Sequence, residues 1–151
     1  MSKSLPWLKT KMSPIMNIES LDKEDVPEEP GVYIMMSDRT EYPYPRSDSK
    51  GTSQVYYIGQ SKKLRDRLNK HKRLYLRSSS TKYLPPIYWE PRYEYASHHG
   101  CNVAWMISKT PRKTEHALLV DFARYYGAKP VADGQSAWPQ FSNRLRRIRK
   151  K

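Results

Sequence analysis

Apolar and polar residues alternate along this chain with two periods, and their clearest junction lies in residues 55–71. The order Val55-Tyr56-Tyr57-Ile58-Gly59 is β-branched and aromatic, which predicts a buried strand. Gly59-Gln60-Ser61 then predicts a turn and a helix N-cap. From Ser61 onward, Leu64, Leu68, His71 and Tyr75 recur at helical spacing and form an inward stripe, while Lys62, Lys63, Lys70 and Lys72 fall largely outside it. Arg67 and His71 are four residues apart and stand one above the other at the border of the buried face. Taken alone, the pair also fits a ridge arginine and a core-edge histidine.

The same patterns recur on either side. In residues 31–36, alternation puts Val32, Ile34 and Met36 on one face and Tyr33 on the other, as Tyr56 and Ile58 alternate against Tyr57. If these strands pair as a hairpin, Tyr33 and Tyr57 share a face. Residues 101–108 predict a third strand with Val103, Trp105 and Ile107 on one side. Thr110 followed by Pro111 predicts a helix start, Glu115, Leu118, Leu119, Phe122 and Tyr126 line one side of that helix, and Gly127 closes it.

Between these elements the patterning breaks down. Residues 1–20 mix cations and apolar side chains without a period and predict an arm that packs or frays, and residues 19–30 predict an acidic, proline-flanked, solvated connection. Residues 37–54 form a long insertion, a flap or a substrate-contacting loop. Residues 78–100 are too proline-rich to predict one regular element. There, aromatics interleave with Lys82 and Arg92, as base stacking beside phosphate contacts would require, or plug an irregular part of the core. His98, His99 and Cys101 are too close together, without a second cluster, to predict a zinc site.

Charge narrows the choice of partner. Across 151 residues, 28 Lys and Arg oppose 15 Asp and Glu, a formal charge of +13 that suits a polyanion. Charge alone does not separate nucleic acid from an anionic membrane, but no stretch approaches the roughly 18 apolar residues of a span, so no membrane is expected. Cys101 is the sole cysteine, which leaves no internal disulfide and makes a reducing, cytoplasmic compartment the expectation.

Gly31-Val32-Tyr33, then Tyr57-Ile58-Gly59, Arg67, His71 and Glu115, in that order, resemble the motifs of the GIY-YIG nuclease superfamily over residues 30–133. The resemblance implies an α+β fold: a three-stranded antiparallel sheet flanked by helices, with loop insertions. It sets a catalytic domain at 30–135 between an N-terminal arm, 1–29, and a basic C-terminal tail, 136–151. Where the family commonly carries an asparagine the chain reads Pro130-Val131-Ala132-Asp133, so Asp133 or Asn143 is the candidate replacement.

The implied activity is divalent-metal-dependent DNA endonuclease, restriction-like or of a mobile element. A structure-selective repair or recombination nuclease and a noncatalytic nucleic-acid-binding module are the alternatives. Glu115 would hold Mg2+ (or Mn2+), which needs few protein ligands because it keeps several waters. Arg67 would grip the scissile phosphate with a planar fork of donors. Tyr57 or His71 would act on the attacking water, and Tyr33 would orient water or phosphate. Lys62, Lys63, Lys70, Arg92, Arg144, Arg146 and Arg147 are the expected DNA contacts, and a homodimer is the simple way for one site per chain to cut both strands.

Overall fold

The computed structural model describes residues 5–45, 52–80 and 91–133. Asn143, Arg144, Arg146 and Arg147 lie outside these residues. The fold is α+β, built on a four-stranded antiparallel sheet in the order β1 (Met16–Asn17), β6 (Asn102–Ile107), β2 (Gly31–Met36), β5 (Val55–Ser61). The helices are α1 (Leu64–Ser80), α2 (Pro91–His99) and α3 (Pro111–Tyr126). All six residues of β2 are buried, so the central strand is covered on both faces. Helices α1 and α3 both pack on the β2–β5 pair, and α2 packs on α1 and β5.

The expected third strand is β6, and the sheet has one strand more than the three expected. Once β6 has paired with β2, its other edge presents unpaired N–H and C=O groups. Residues of the arm satisfy them. Met16 and Asn17 pair with Val103 and Asn102, the Ser13 N–H donates to the Trp105 carbonyl at 2.8 Å, and Ser13 Oγ accepts from the Trp105 N–H at 2.9 Å. Trp7, Ile18, Leu21 and Val26 are buried in the same core as the sheet, Trp7 edge-on to Phe122 at 5.2 Å.

The acidic connection is also structural. The N–H groups of Leu64 and Arg65, which have no partner within the first turn of α1, donate to the carbonyls of Glu29 and Pro27. Arg65 Nε donates to the Val26 carbonyl at 2.8 Å and its guanidinium meets Glu28 at 3.0 Å, while Lys72 Nζ donates to the Leu21 carbonyl. Ser61 is accordingly the last residue of β5 rather than a helix cap, and its Oγ accepts from the Lys63 N–H.

The insertion after β2 does not stand off the body. It carries β3 (Tyr42–Pro43) paired with β4 (Thr52–Ser53), and Tyr42 and Tyr44 are buried. The Tyr44 hydroxyl donates to the Val55 carbonyl and accepts from the Val131 N–H, which ties the insertion to β5 and to the segment after α3. In the proline-rich stretch, α1 continues to Ser80 and α2 begins at Pro91, a position where a helix needs no backbone donor. Tyr88 and Trp89 lie outside the described residues. Helix α3 starts and stops where its signals fall, at Pro111 and at Gly127, whose φ of 84° is one that L side chains rarely adopt.

Candidate active site

The site begins with the pairing of β2 and β5. In this register Tyr33 faces Gly59 and Met35 faces Tyr57, so the two tyrosines are diagonal neighbours on one face, with ring centroids 6.1 Å apart. Gly59 has no positive φ and makes no turn; β5 runs straight through it. Its role is space. A Cβ there would lie 2.5 Å from Tyr33 Cζ and 2.8 Å from Tyr57 Cε2, so only glycine lets the Tyr33 ring lie across the strand.

Helix α1 covers this face. Leu64, Leu68 and His71 are buried at its contact with the sheet, and a hydrogen bond of 2.7 Å joins the Tyr33 hydroxyl and His71 Nε2. Burial dominates both pKa values. It holds the Tyr33 hydroxyl well above its ordinary value, with the charge and hydrogen bonding of Arg67 pulling the other way. It holds the His71 imidazole well below its ordinary value, with Arg92, Arg67 and Lys70 adding to the effect. The pair is therefore a neutral tyrosine and a neutral histidine.

A pH dependence follows from His71. Its folded pKa lies below the unfolded value of about 6.5, so between the two the unfolded chain binds more protons and stability falls as the pH falls. The loss is about 1.4 kcal/mol for each pH unit between the two values. Asp133, whose pKa is raised, contributes in the opposite sense, gaining stability as it is protonated in the fold. Comparing wild type with His71→Gln isolates the histidine: the melting temperature should drop less in the variant between pH 7.5 and 5.5. Equal drops would mean that His71 is not held neutral.

Tyr57 is half-buried and sits among charges. Burial raises its pKa, Asp133 and Glu115 add to that, and Arg92 and Arg67 oppose it. Glu115 lies one turn into α3, half-buried, its pKa raised by burial against the pull of Arg112 and Lys129. Asp133 is buried. Its Oδ1 accepts from the Ile58 N–H at 2.6 Å while the Ala132 N–H donates to the Tyr56 carbonyl, so residues 132–133 close the outer edge of β5. Burial holds the Asp133 pKa well above its ordinary value, and the Glu115 charge adds to the rise against the hydrogen bond from Ile58. These are the carboxylates that could hold a metal.

A cleft of about 490 Å³ is lined by Lys62, Lys63, Arg67, Lys70 and Arg112, with Asp66 as its acid. A second, of about 440 Å³, shares Lys62 and Arg112 and continues to Lys109 and Lys113. The expected contacts Lys62, Lys63 and Lys70 are exposed in the first cleft. Arg92 is elsewhere: from α2 its Cζ lies 5.3 Å from the centre of the Tyr57 ring. Lys109, Arg112 and Lys113 were not among the expected contacts, although three cations in five positions around a predicted helix start were a usable signal.

Comparison with protein families, with curated proteins and with solved structures finds no match to this chain.

Proposed function

We propose that the chain is a divalent-metal-dependent DNA endonuclease of the GIY-YIG type. One observation carries this reading: Tyr33 and Tyr57 lie together on one face of the sheet, their ring centroids 6.1 Å apart, the charge of Arg67 on α1 acts on both and Arg67 lines a basic cleft, while Glu115 on α3 acts on Tyr57. Stability does not call for two half-buried charges of opposite sign beside two tyrosines, whereas phosphodiester hydrolysis uses each of them.

The ion of this reading is a hard divalent one, with Glu115 as its carboxylate. Glu115 alone would serve Mg2+ or Mn2+, ions that keep several waters and need few protein ligands; among the described residues there is no group of three or more His, Cys, Asp or Glu that could hold a metal. When bound, such an ion would neutralise phosphate charge and stabilise the leaving oxygen. The chain's own residues do the rest. Arg67 lies in the cleft and offers two phosphate oxygens a planar fork. Of the two candidate bases, Tyr57 is the better placed, because His71 is 1% exposed with Nε2 on Tyr33, whereas Tyr57 is half-buried. The Tyr33–His71 pair holds the floor of the site in place.

The test is cleavage of duplex, branched and single-stranded DNA, and of RNA, with and without Mg2+ or Mn2+, with the products mapped. Internal cuts in DNA that require the metal are expected. No cleavage of any substrate leaves the noncatalytic module. Cuts confined to branched DNA favour the repair alternative, and cuts confined to RNA reassign the substrate.

The clefts give a second expected result. Lys62, Lys109, Arg112 and Lys113 are exposed and serve the backbone of the substrate, so replacing Lys109 and Lys113 with alanine should weaken DNA binding. The slope of log affinity against log salt should flatten by about 0.9 for each phosphate that no longer meets a cation. An unchanged slope in the double variant would exclude this cleft from the DNA path.

A further inference from the structure

The remaining charge in the site is Arg92, and its surroundings differ from those of a surface phosphate contact. Helix α2 packs against α1 and β5 and sets the half-buried Arg92 guanidinium 5.3 Å from the centre of the Tyr57 ring. At that range a guanidinium is attracted to the ring face. Its charge acts on Tyr33, Tyr57, His71 and Asp133, groups drawn from β2, from β5, from α1 and from the segment beyond α3. Lys62, Lys63 and Lys70 line the cleft, whereas Arg92 sits over the tyrosine.

We propose that Arg92 is a second catalytic guanidinium: it holds Tyr57 in place and, with substrate bound, donates to a phosphate oxygen opposite Arg67. The inference rests on the nuclease reading and deepens it. Two forks, one on α1 and one on α2, would grip the scissile phosphate from two sides, with Tyr57 between them facing the attacking water. Arginine suits both tasks, because its planar group stacks on an aromatic ring and still presents N–H donors at its rim, whereas an ammonium ion offers only a point charge. Among the charges acting on Tyr57, Arg92 is also the foremost of those that favour ionisation, ahead of Arg67. Removing it should make the Tyr57 proton harder to lose.

The test uses the full chain with Arg92→Gln, Arg92→Lys and, for comparison, Lys62→Ala and Glu115→Gln. Single-turnover cleavage, affinity for uncut DNA without metal, the pH–rate profile and thermal melting are measured on each. Arg92→Gln should lower the single-turnover rate about 100-fold, the scale of losing one preorganised donor to a developing charge. Its affinity for uncut DNA should change less than about threefold, because the guanidinium acts on the transition state. The rising limb of its pH–rate profile should move to higher pH. Arg92→Lys should fall between, keeping the charge but losing the fork. Two results would overturn the inference. One is an Arg92→Gln protein that cuts at the wild-type rate but binds DNA more weakly with a flatter salt slope, as Lys62→Ala should. The other is a loss of rate that follows a lowered melting temperature equally in the Gln and Lys variants, with an unmoved pH profile. If wild type cuts, Glu115→Gln does not and Arg92→Gln does, the nuclease reading stands and this inference fails. If wild type cuts nothing, both fail.

Discussion

Glu115→Gln is expected to cut DNA at least about 100-fold to 1,000-fold more slowly than wild type, the scale of removing one electrostatic stabiliser from a reaction centre. Glutamine keeps the shape of the side chain and removes the negative charge that would hold Mg2+. Folding should not suffer. Burial raises the Glu115 pKa, so its charged form is the disfavoured one in the fold, and a neutral isostere removes that penalty. Binding to DNA in the absence of metal should hold or tighten, because a half-buried anion no longer repels the phosphate. Cleavage, melting and metal-free binding measured side by side separate three accounts. A noncatalytic module shows no metal-dependent cleavage in either protein. A structural glutamate shows a fall in stability in proportion to the fall in activity. A variant that cuts near the wild-type rate removes Glu115 from the chemistry, and with it the metal-assisted mechanism.

Gly59→Ala should be nearly as damaging, for a reason that concerns space rather than charge. The added methyl group would sit 2.5 Å from Tyr33 Cζ, in a ring that is 0% exposed and held at its hydroxyl by His71. Neither neighbour is the loose end of a flexible side chain. Overpacking of this kind costs roughly 1–3 kcal/mol, which for a chain of this length lowers the melting temperature by roughly 2–12 °C. The tyrosines must also shift, and a displacement of about 1 Å in a catalytic constellation costs on the order of 100-fold in rate. Calorimetry and single-turnover cleavage on the same preparation give the result. Unchanged stability together with unchanged cleavage would mean that Tyr33 does not lie over Gly59.

Much of the site was visible before folding because its geometry is local. Arg67 and His71 stand one above the other at the border of the buried face because they lie four apart beside Leu64 and Leu68, and a 3.6-residue repeat shows that in any context. Alternation puts Tyr33 and Tyr57 on one face provided that their strands pair as a hairpin, and the β2–β5 register supplies that pairing. The start and stop of α3 were legible for the same reason, since Pro111 and Gly127 act on their own backbone.

Other parts carried no local signal. A strand of two residues, Met16–Asn17, is too short to show a period, and what makes it a strand is the vacant edge of β6. The carbonyls of Pro27 and Glu29 look like those of any loop, yet they receive the first N–H groups of α1. Tyr42 and Tyr44 resemble the exposed aromatics of a recognition loop until β5 and α3 are there to bury them. Arg92 resembles any cation in a mixed stretch, and only the packing of α2 on α1 and β5 carries it to Tyr57.

The sequence by itself determined which residues share a face of each long element, because the 2-residue and 3.6-residue periods are properties of the backbone within one segment. Only the tertiary structure decided that Gly59 lies opposite Tyr33, that Asp133 reaches the Ile58 N–H 75 residues away, and that Arg92 joins the tyrosines. Register, edge closure and helix docking each depend on contacts between segments distant in the chain, and no single segment encodes such a contact in its own pattern.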